Sequence, residues 1–391
     1  MLSSFASILA SRGTKAKSIN YIPKGSGRVA LWGHRAQAFP LSVESFRIFQ
    51  DIVMNQYGVA VHGAGWVAAE HVRAFDADPR SRVVTISSRR ESSAARVAHM
   101  THHPEAVIET DLSRVLERDD VQILVVCTPH DLHPANTIAA AQAGKHILIE
   151  KPAALDTSSL RCMHEEVAKA GVKSVVSFVL RWNPLFDVIK AQQANGALGR
   201  VYMTEVDYVH GVGPWYGQYE WCRTLAQGRS SFLNAGCHAI DALRYFTESD
   251  VTEVSAYTVA GSDRFEYPGT AVMICKFENG SIGKALSNLD DRAPYKFRIS
   301  LYGDLGTMLD NRIHSQTVPG QTDYAEIPTI LPDSGDVSHH PFRGQASHLL
   351  DCIEMDEESH VSLGNSINTH EVCVAADISA AEGRPVSLPL P

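Results

Sequence analysis

Glu150-Lys151-Pro152 closes an apolar run, His146-Ile147-Leu148-Ile149, and sets a carboxylate and an ammonium side by side where that run stops. A lysine partly desolvated at such an edge can take up and return a proton near neutral pH. Asn234, His238 and Asp241 form a second set, spaced four and three residues apart. On a helix these residues lie near one face, where a histidine shuttles protons or hydrogen-bonds a hydroxyl. Asn234 alternatively caps that helix. The third set is Gly63-Ala64-Gly65-Trp66-Val67-Ala68, a G-x-G-x-x-A turn. Each set has a plainer alternative: a solvated Lys-Pro turn, a capped helix with a satisfied His–Asp pair, and a simple tight turn.

The surrounding elements decide between these alternatives. Residues 57–62 are strand-like and run into the glycine turn. Ala68, Val72 and Phe75 then recur at helical spacing. In that context Gly63 makes the turn, Gly65 lets backbone approach a pyrophosphate, and Ala68 permits close helix packing. The helix N-terminus offers its free N–H groups to phosphate. A second strand, residues 83–87, ends in Ser87-Ser88-Arg89-Arg90. It lacks the carboxylate that holds an NAD ribose, and its two arginines suit a 2′-phosphate, so NADP is expected in preference to NAD. Otherwise both arginines simply face solvent.

Helical and apolar segments then alternate. Residues 92–100 and 111–118 are helical, 121–127 read as a buried strand ending in Thr128-Pro129-His130, and 135–143 are a helix stopped by Gly144. His146–Ile149 is the strand that delivers Glu150 and Lys151 to the carboxyl edge of a parallel sheet, where open α/β sheets bind ligands. Residues 160–170 are helical and 174–180 give a sixth strand. Residues 55–180 therefore read as a doubly wound α/β domain. Residues 181–391 read as an α+β domain on a large, mostly antiparallel open sheet. Its strands are expected at 201–209, 251–260, 270–277, 281–286 and 297–302, with a type I′ turn at Asn279-Gly280. The glycine- and aromatic-rich residues 211–221 read as a loop. Closing helices at 343–354 and 366–382 are expected to pack back on the first domain.

Bulk properties exclude several classes. A length of 391 residues suits two domains. No apolar run approaches the roughly 18 residues of a transmembrane helix, so no membrane partner is expected. A net charge of −9 argues against nucleic acid. The seven scattered cysteines form no C-x-x-C pair, which suits free thiols in a reducing, cytoplasmic setting. His102-His103 and His339-His340 lack neighbouring ligands at metal-site spacing, so no metal is expected. A serine nucleophile lacks its G-x-S-x-G elbow. The first 54 residues carry seven Lys/Arg against two acids. They read as a disordered or targeting extension, or as translated upstream sequence with Met54 as the working start.

Taken together, the Gly63–Ala68 turn, Thr128-Pro129 with Glu150-Lys151-Pro152, and Gly236-x-His238-x-x-Asp241 resemble the Gfo/Idh/MocA oxidoreductases over about residues 55–391. The resemblance implies a Rossmann domain, a nicotinamide cofactor, and reversible hydride transfer at a secondary hydroxyl of a sugar or cyclitol. It implies Lys151 as the proton-transferring residue, with His238 and Asn234 completing the catalytic set. Arg181 and Trp182 join them in substrate binding. Gly63, Ala64, Gly65, Trp66, Val67, Ser88, Arg89, Arg90, Thr128, Pro129, His133, Glu150 and Pro152 are expected at the cofactor, the last two shaping the nicotinamide end through a cis Lys-Pro bond. The chain departs from the family where many members carry Asp; Asn234 stands there and cannot take a proton. Two other functions remain open: redox-assisted glycoside cleavage with retained NAD, and a cofactor-binding sensor without chemistry. An open sheet needs covering, which points to a homodimer or homotetramer.

Overall fold

The structure, a computed structural model, describes residues 56–333 and 340–391. The expected N-terminal extension and His339 lie outside the described residues.

Six strands form the first sheet: β1 (Tyr57–His62), β2 (Ser81–Ser87), β3 (Val107–Glu109), β4 (Ile123–Val126), β5 (His146–Ile149) and β6 (Ser174–Val176). All are parallel, in the order β3-β2-β1-β4-β5-β6. That order reverses between β1 and β4, which opens a crevice beyond their carboxyl ends. The strands are apolar runs because helices cover both faces: Val59, Val61, Leu124, Val126, Leu148 and Ile149 have no exposed surface. Five helices belong to this half: α1 (Ala68–Asp76), α2 (Glu91–Met100), α3 (Leu112–Leu116), α4 (His133–Gln142) and α5 (Thr157–Ala170).

Helix α6 (Pro184–Ala194) leads into a second sheet of nine strands. These are β7 (Val201–Val209), β8 (Val251–Val259), β9 (Thr270–Phe277), β10 (Ile282–Asn288), β11 (Lys296–Gly303), β12 (Gly306–Leu309), β13 (Arg312–Ser315), β14 (Ala325–Glu326) and β15 (Val386–Ser387). Every pairing is antiparallel except β7 with β10. The β9–β10 turn is not type I′: Gly280 has φ +83° but Asn279 stays at negative φ. Asn279 instead turns its side chain to accept from the Ser281 N–H at 3.0 Å, and one glycine in the left-handed region suffices.

Short α7 (Tyr219–Cys222) is followed by α8 (Cys237–Thr247), and α9 (Phe342–Met355) and α10 (Leu363–Glu382) close the chain. Helices α8 and α10 pack on the inner face of the second sheet, and α10 also packs on α5. Helix α9 returns to α1, where Arg80 bonds Asp351 at 2.7 Å and Ser347 bonds Asp78 at 2.8 Å. Among the described residues no helix covers the opposite face of the second sheet, where Tyr257 is 77% and Ile274 62% exposed.

Candidate active site

The site is built first from backbone. Gly63 turns the chain at φ +107°, and a Cβ there would stand 2.4 Å from the Cys127 backbone just past β4. No larger residue fits that approach of β1 to β4. Helix α1 starts at Ala68 with no side-chain cap, leaving its first N–H groups for an anionic ligand. Above this turn runs a groove lined by Gly63, Ala64, Gly65, Trp66, Ser88, Arg89, Arg90, Thr128 and Pro129. Arg89 and Arg90 are exposed at its rim. The Trp66 ring, 4.8 Å from that of Tyr216, reaches the second half of the molecule. Gly217 lies so close that a Cβ would fall 2.4 Å from the Trp66 ring.

The groove leads into a cavity, with Cys127, Thr128, Gln218 and Trp221 lining both. Glu150 and Lys151 enter the cavity from the end of β5, and the Lys151-Pro152 bond is cis. Lys151 Nζ donates to the Asn234 carbonyl oxygen at 2.8 Å. Glu150 Oε1 lies 2.7 Å from His71 Nε2. Burial pushes the Glu150 carboxyl up, but the His71 hydrogen bond and the charges of His71 and Lys151 outweigh it and hold it below the usual range.

The facing wall comes from the second half. His238 is 7% exposed, and its buried Nδ1 has no hydrogen-bond partner among the described residues. Its ring lies between the edge contact of Phe178 at 5.9 Å and the stacked Tyr208 at 6.1 Å. Burial, then the Lys151 charge, lowers its pKa well below the ordinary value. His238 is therefore a neutral hydrogen-bonding group at physiological pH. His210, 3.2 Å from the Tyr208 hydroxyl through Nδ1, is lowered to about 4 by burial and by the charges of His340 and Lys151. Tyr295 completes this wall; burial raises its pKa, so it stays protonated, and its buried hydroxyl has no hydrogen-bond partner among the described residues. Among the described lining residues, Lys151 is the only lysine or arginine. The arrangement is Lys151 with the Glu150 carboxylate beside it, among neutral histidines and aromatic rings, next to a groove with a glycine turn and an uncapped helix start.

Two family models match the chain in succession: "Oxidoreductase family, NAD-binding Rossmann fold" over residues 57–178 and "GFO/IDH/MocA C-terminal domain" over residues 186–309. The chain belongs to the Gfo/Idh/MocA oxidoreductases. Similar proteins include an uncharacterized oxidoreductase of Bacillus subtilis, 25% identical over 85% of this chain and 97% of that one. A scyllo-inositol 2-dehydrogenase (NAD(+)) of the same organism is 23% identical over the same shares. Among solved structures, a levoglucosan dehydrogenase in complex with NADH and levoglucosan superposes with a TM-score of 0.77 at 19% identity, covering 86% of this chain and 100% of that one.

Within this oxidoreductase several expected site residues take other positions. His133 does not line the groove; it is fully buried beneath it, with both ring nitrogens on backbone carbonyls. Pro152 lies beneath as well, and its carbonyl is one of those two partners. Arg181 is no free substrate ligand: its guanidinium grips Asp241 through two bonds, 2.8 and 2.7 Å, and donates to the His360 carbonyl at 2.7 Å. A buried arginine needs such a carboxylate, so Asp241 turns away from His238. Trp182 packs against the rings of His348 and His360, outside both cavities.

Asn234 is displaced by an unforeseen backbone feature. Residues Phe232–Gly236 form a π-helical turn before α8, a form that recurs at functional sites. The Asn234 amide points away and donates to the Tyr267 hydroxyl at 2.9 Å; its backbone carbonyl faces Lys151. Its side chain therefore supplies no catalytic group in this arrangement. His71, His210, Tyr208 and Tyr295 also belong to the site and were not expected there. For His71 a signal existed: it shares the apolar face of α1 with Ala68, Val72 and Phe75, where a polar residue needs a buried partner.

Proposed function

We propose that this enzyme oxidises a secondary hydroxyl of a sugar, sugar derivative or cyclitol, or reduces the corresponding ketone, with Lys151 moving the proton. The observation that carries this reading is the placement of Lys151, in the cavity into which the groove leads and held by the Asn234 carbonyl. A nicotinamide dinucleotide fits the groove on the chain's own features: the Gly63 turn, the open approach over Gly65 and the uncapped start of α1. Bound there, it supplies the two-electron acceptor. Gly63 through Trp66 would hold the pyrophosphate region, and Thr128 and Pro129 would line the far side. Lys151 takes the hydroxyl proton during oxidation and returns it during reduction. His238, kept neutral by burial, hydrogen-bonds the same or a neighbouring hydroxyl without adding charge. The aromatic wall excludes water and presents flat faces to a ring. Similarity to an inositol dehydrogenase and to the fold of a levoglucosan dehydrogenase supports a cyclic polyol as substrate.

For the cofactor we favour NADP, because β2 ends in serines and the exposed Arg89 and Arg90 rather than a carboxylate. The open apolar face of the second sheet supports a homodimer or homotetramer. Titrating tryptophan fluorescence with NADP(H) and NAD(H), followed by turnover on myo-inositol, scyllo-inositol and methyl glucosides, tests both statements. Tighter NADP(H) binding with turnover is expected. Tighter NAD(H) binding overturns the arginine argument, and binding without any turnover favours a sensor.

A further inference from the structure

Thr128 and Pro152 stand just past two neighbouring strand ends, those of β4 and β5, and one buried ring joins them. His133 Nδ1 lies 2.8 Å from the Pro152 carbonyl oxygen, and His133 Nε2 lies 2.8 Å from the Thr128 carbonyl oxygen. A carbonyl oxygen only accepts, and a neutral imidazole has a single N–H. Both contacts are hydrogen bonds only when the ring carries two protons. A neutral ring would set a nitrogen lone pair against a carbonyl lone pair at this distance, at a residue with no exposed surface.

The groups around the ring determine whether such a charge is tolerable. His370 is neutral by its own bonds: its Nε2 accepts from the Ala153 N–H at 2.8 Å, and its Nδ1 donates to the Ser366 carbonyl at 2.8 Å. His130, with its ring 5.6 Å away, is kept neutral by burial. Burial is the largest influence and leaves the His133 pKa below its ordinary value, and the α4 N-terminus also opposes a cation; against this stands the geometry, in which a neutral ring would leave one nitrogen lone pair facing a carbonyl oxygen. The two carbonyls push the other way, followed by the carboxylates of Glu150 and Asp131. Lys151 is the remaining nearby cation, and the Glu150 carboxylate lies next to it in the chain.

We propose that His133 is a positioning residue held as an imidazolium, its two N–H groups locking the Thr128 and Pro152 carbonyls and so fixing Lys151 against the substrate. The proposal rests on Lys151 as the proton carrier. It assigns His133 no contact with cofactor or substrate.

The test uses the full chain labelled with nitrogen-15 in the histidine rings, with His133→Gln to assign the signals. At pH 7.5 both His133 ring nitrogens are expected to carry protons. In kinetics, His133→Gln is expected to lower kcat about 10- to 100-fold, as for other groups that orient a reacting residue. It should also change the pH profile of kcat while leaving NAD(P)H affinity nearly unaltered. An unprotonated His133 nitrogen at neutral pH overturns the proposal, whether or not the variant folds. A folded variant with the parent's kcat and pH profile, or one that mainly loses NAD(P)H binding, overturns it as well. Absence of turnover in the parent counts against the proposed function, and the nitrogen spectrum still decides the state of His133.

Discussion

The two sides of this site are made of different material. The groove side, at the carboxyl edge of the first sheet, is mostly backbone: a glycine turn, an uncapped helix start and strand ends that carry Thr128 and Lys151. The facing wall is side chains, with His238 from α8, Tyr208 from β7, His210 just beyond it and Tyr295 just before β11. A backbone cradle suits a ligand part that never changes, such as a dinucleotide. A wall of aromatic rings and neutral histidines can be altered residue by residue without disturbing the cradle. On the function proposed above, binding of the constant ligand and choice of the variable one would be divided between two sheets.

The sharpest break of that division is at Gly63. Gly63→Val places a branched side chain at φ +107°, against the Cys127 backbone. It should cost on the order of 3 kcal/mol and remove NAD(P)H binding. A clear fall in Tm with no saturable fluorescence titration is expected; normal cofactor binding would show that the turn is not the cradle. A smaller effect belongs to the wall. His238→Ala should lower kcat/KM about 100-fold and change cofactor affinity by no more than about two-fold. Loss of cofactor binding in that variant would merge the two sides into one functional unit.

The smallest effect is spread over both sides. His62 on the groove and His210 on the wall, with His360 and His370 nearby, have pKa values lowered by burial to about 4 from 6.5. Between those values the unfolded chain binds protons that the folded chain does not, so stability falls as pH drops from 6.5 toward 4. Asp377, raised by burial to about 7 from 3.8, has the opposite sign, because there the folded chain holds the extra proton. Four groups against one predict a lower Tm at pH 5 than at pH 7.5. Equal values at the two pH levels would mean that these histidines are not held neutral.

The same division explains what the sequence made legible. Strands buried on both faces are continuous apolar runs, so the first sheet, its glycine turn and the Lys151 edge could be read from local pattern. Short elements escaped: β3 has three residues, and β12 to β14 have four or fewer. Helix α6 has a weak apolar period but a clear start signal in Asn183-Pro184, with the Asn183 side chain accepting from the Leu185 N–H at 2.9 Å. The wall was legible only at His238. Tyr208, His210 and Tyr295 meet through the pairing of β7 with β11, and no spacing along the chain marks such a meeting. Helical spacing puts Asn234 and Asp241 with His238. The π turn and the buried demand of Arg181 redirected them, and neither has a local sequence signature.

Kinetics of Lys151→Met test the proton-transfer role most directly. The substitution keeps an unbranched side chain as far as Cε and removes the amine. With a polyol that the parent enzyme oxidises, kcat should fall about 10³-fold, within the range for a lost general acid–base group, while NAD(P)H affinity stays near that of the parent. Turnover close to the parent's, with the same pH profile, would contradict Lys151 as the proton carrier.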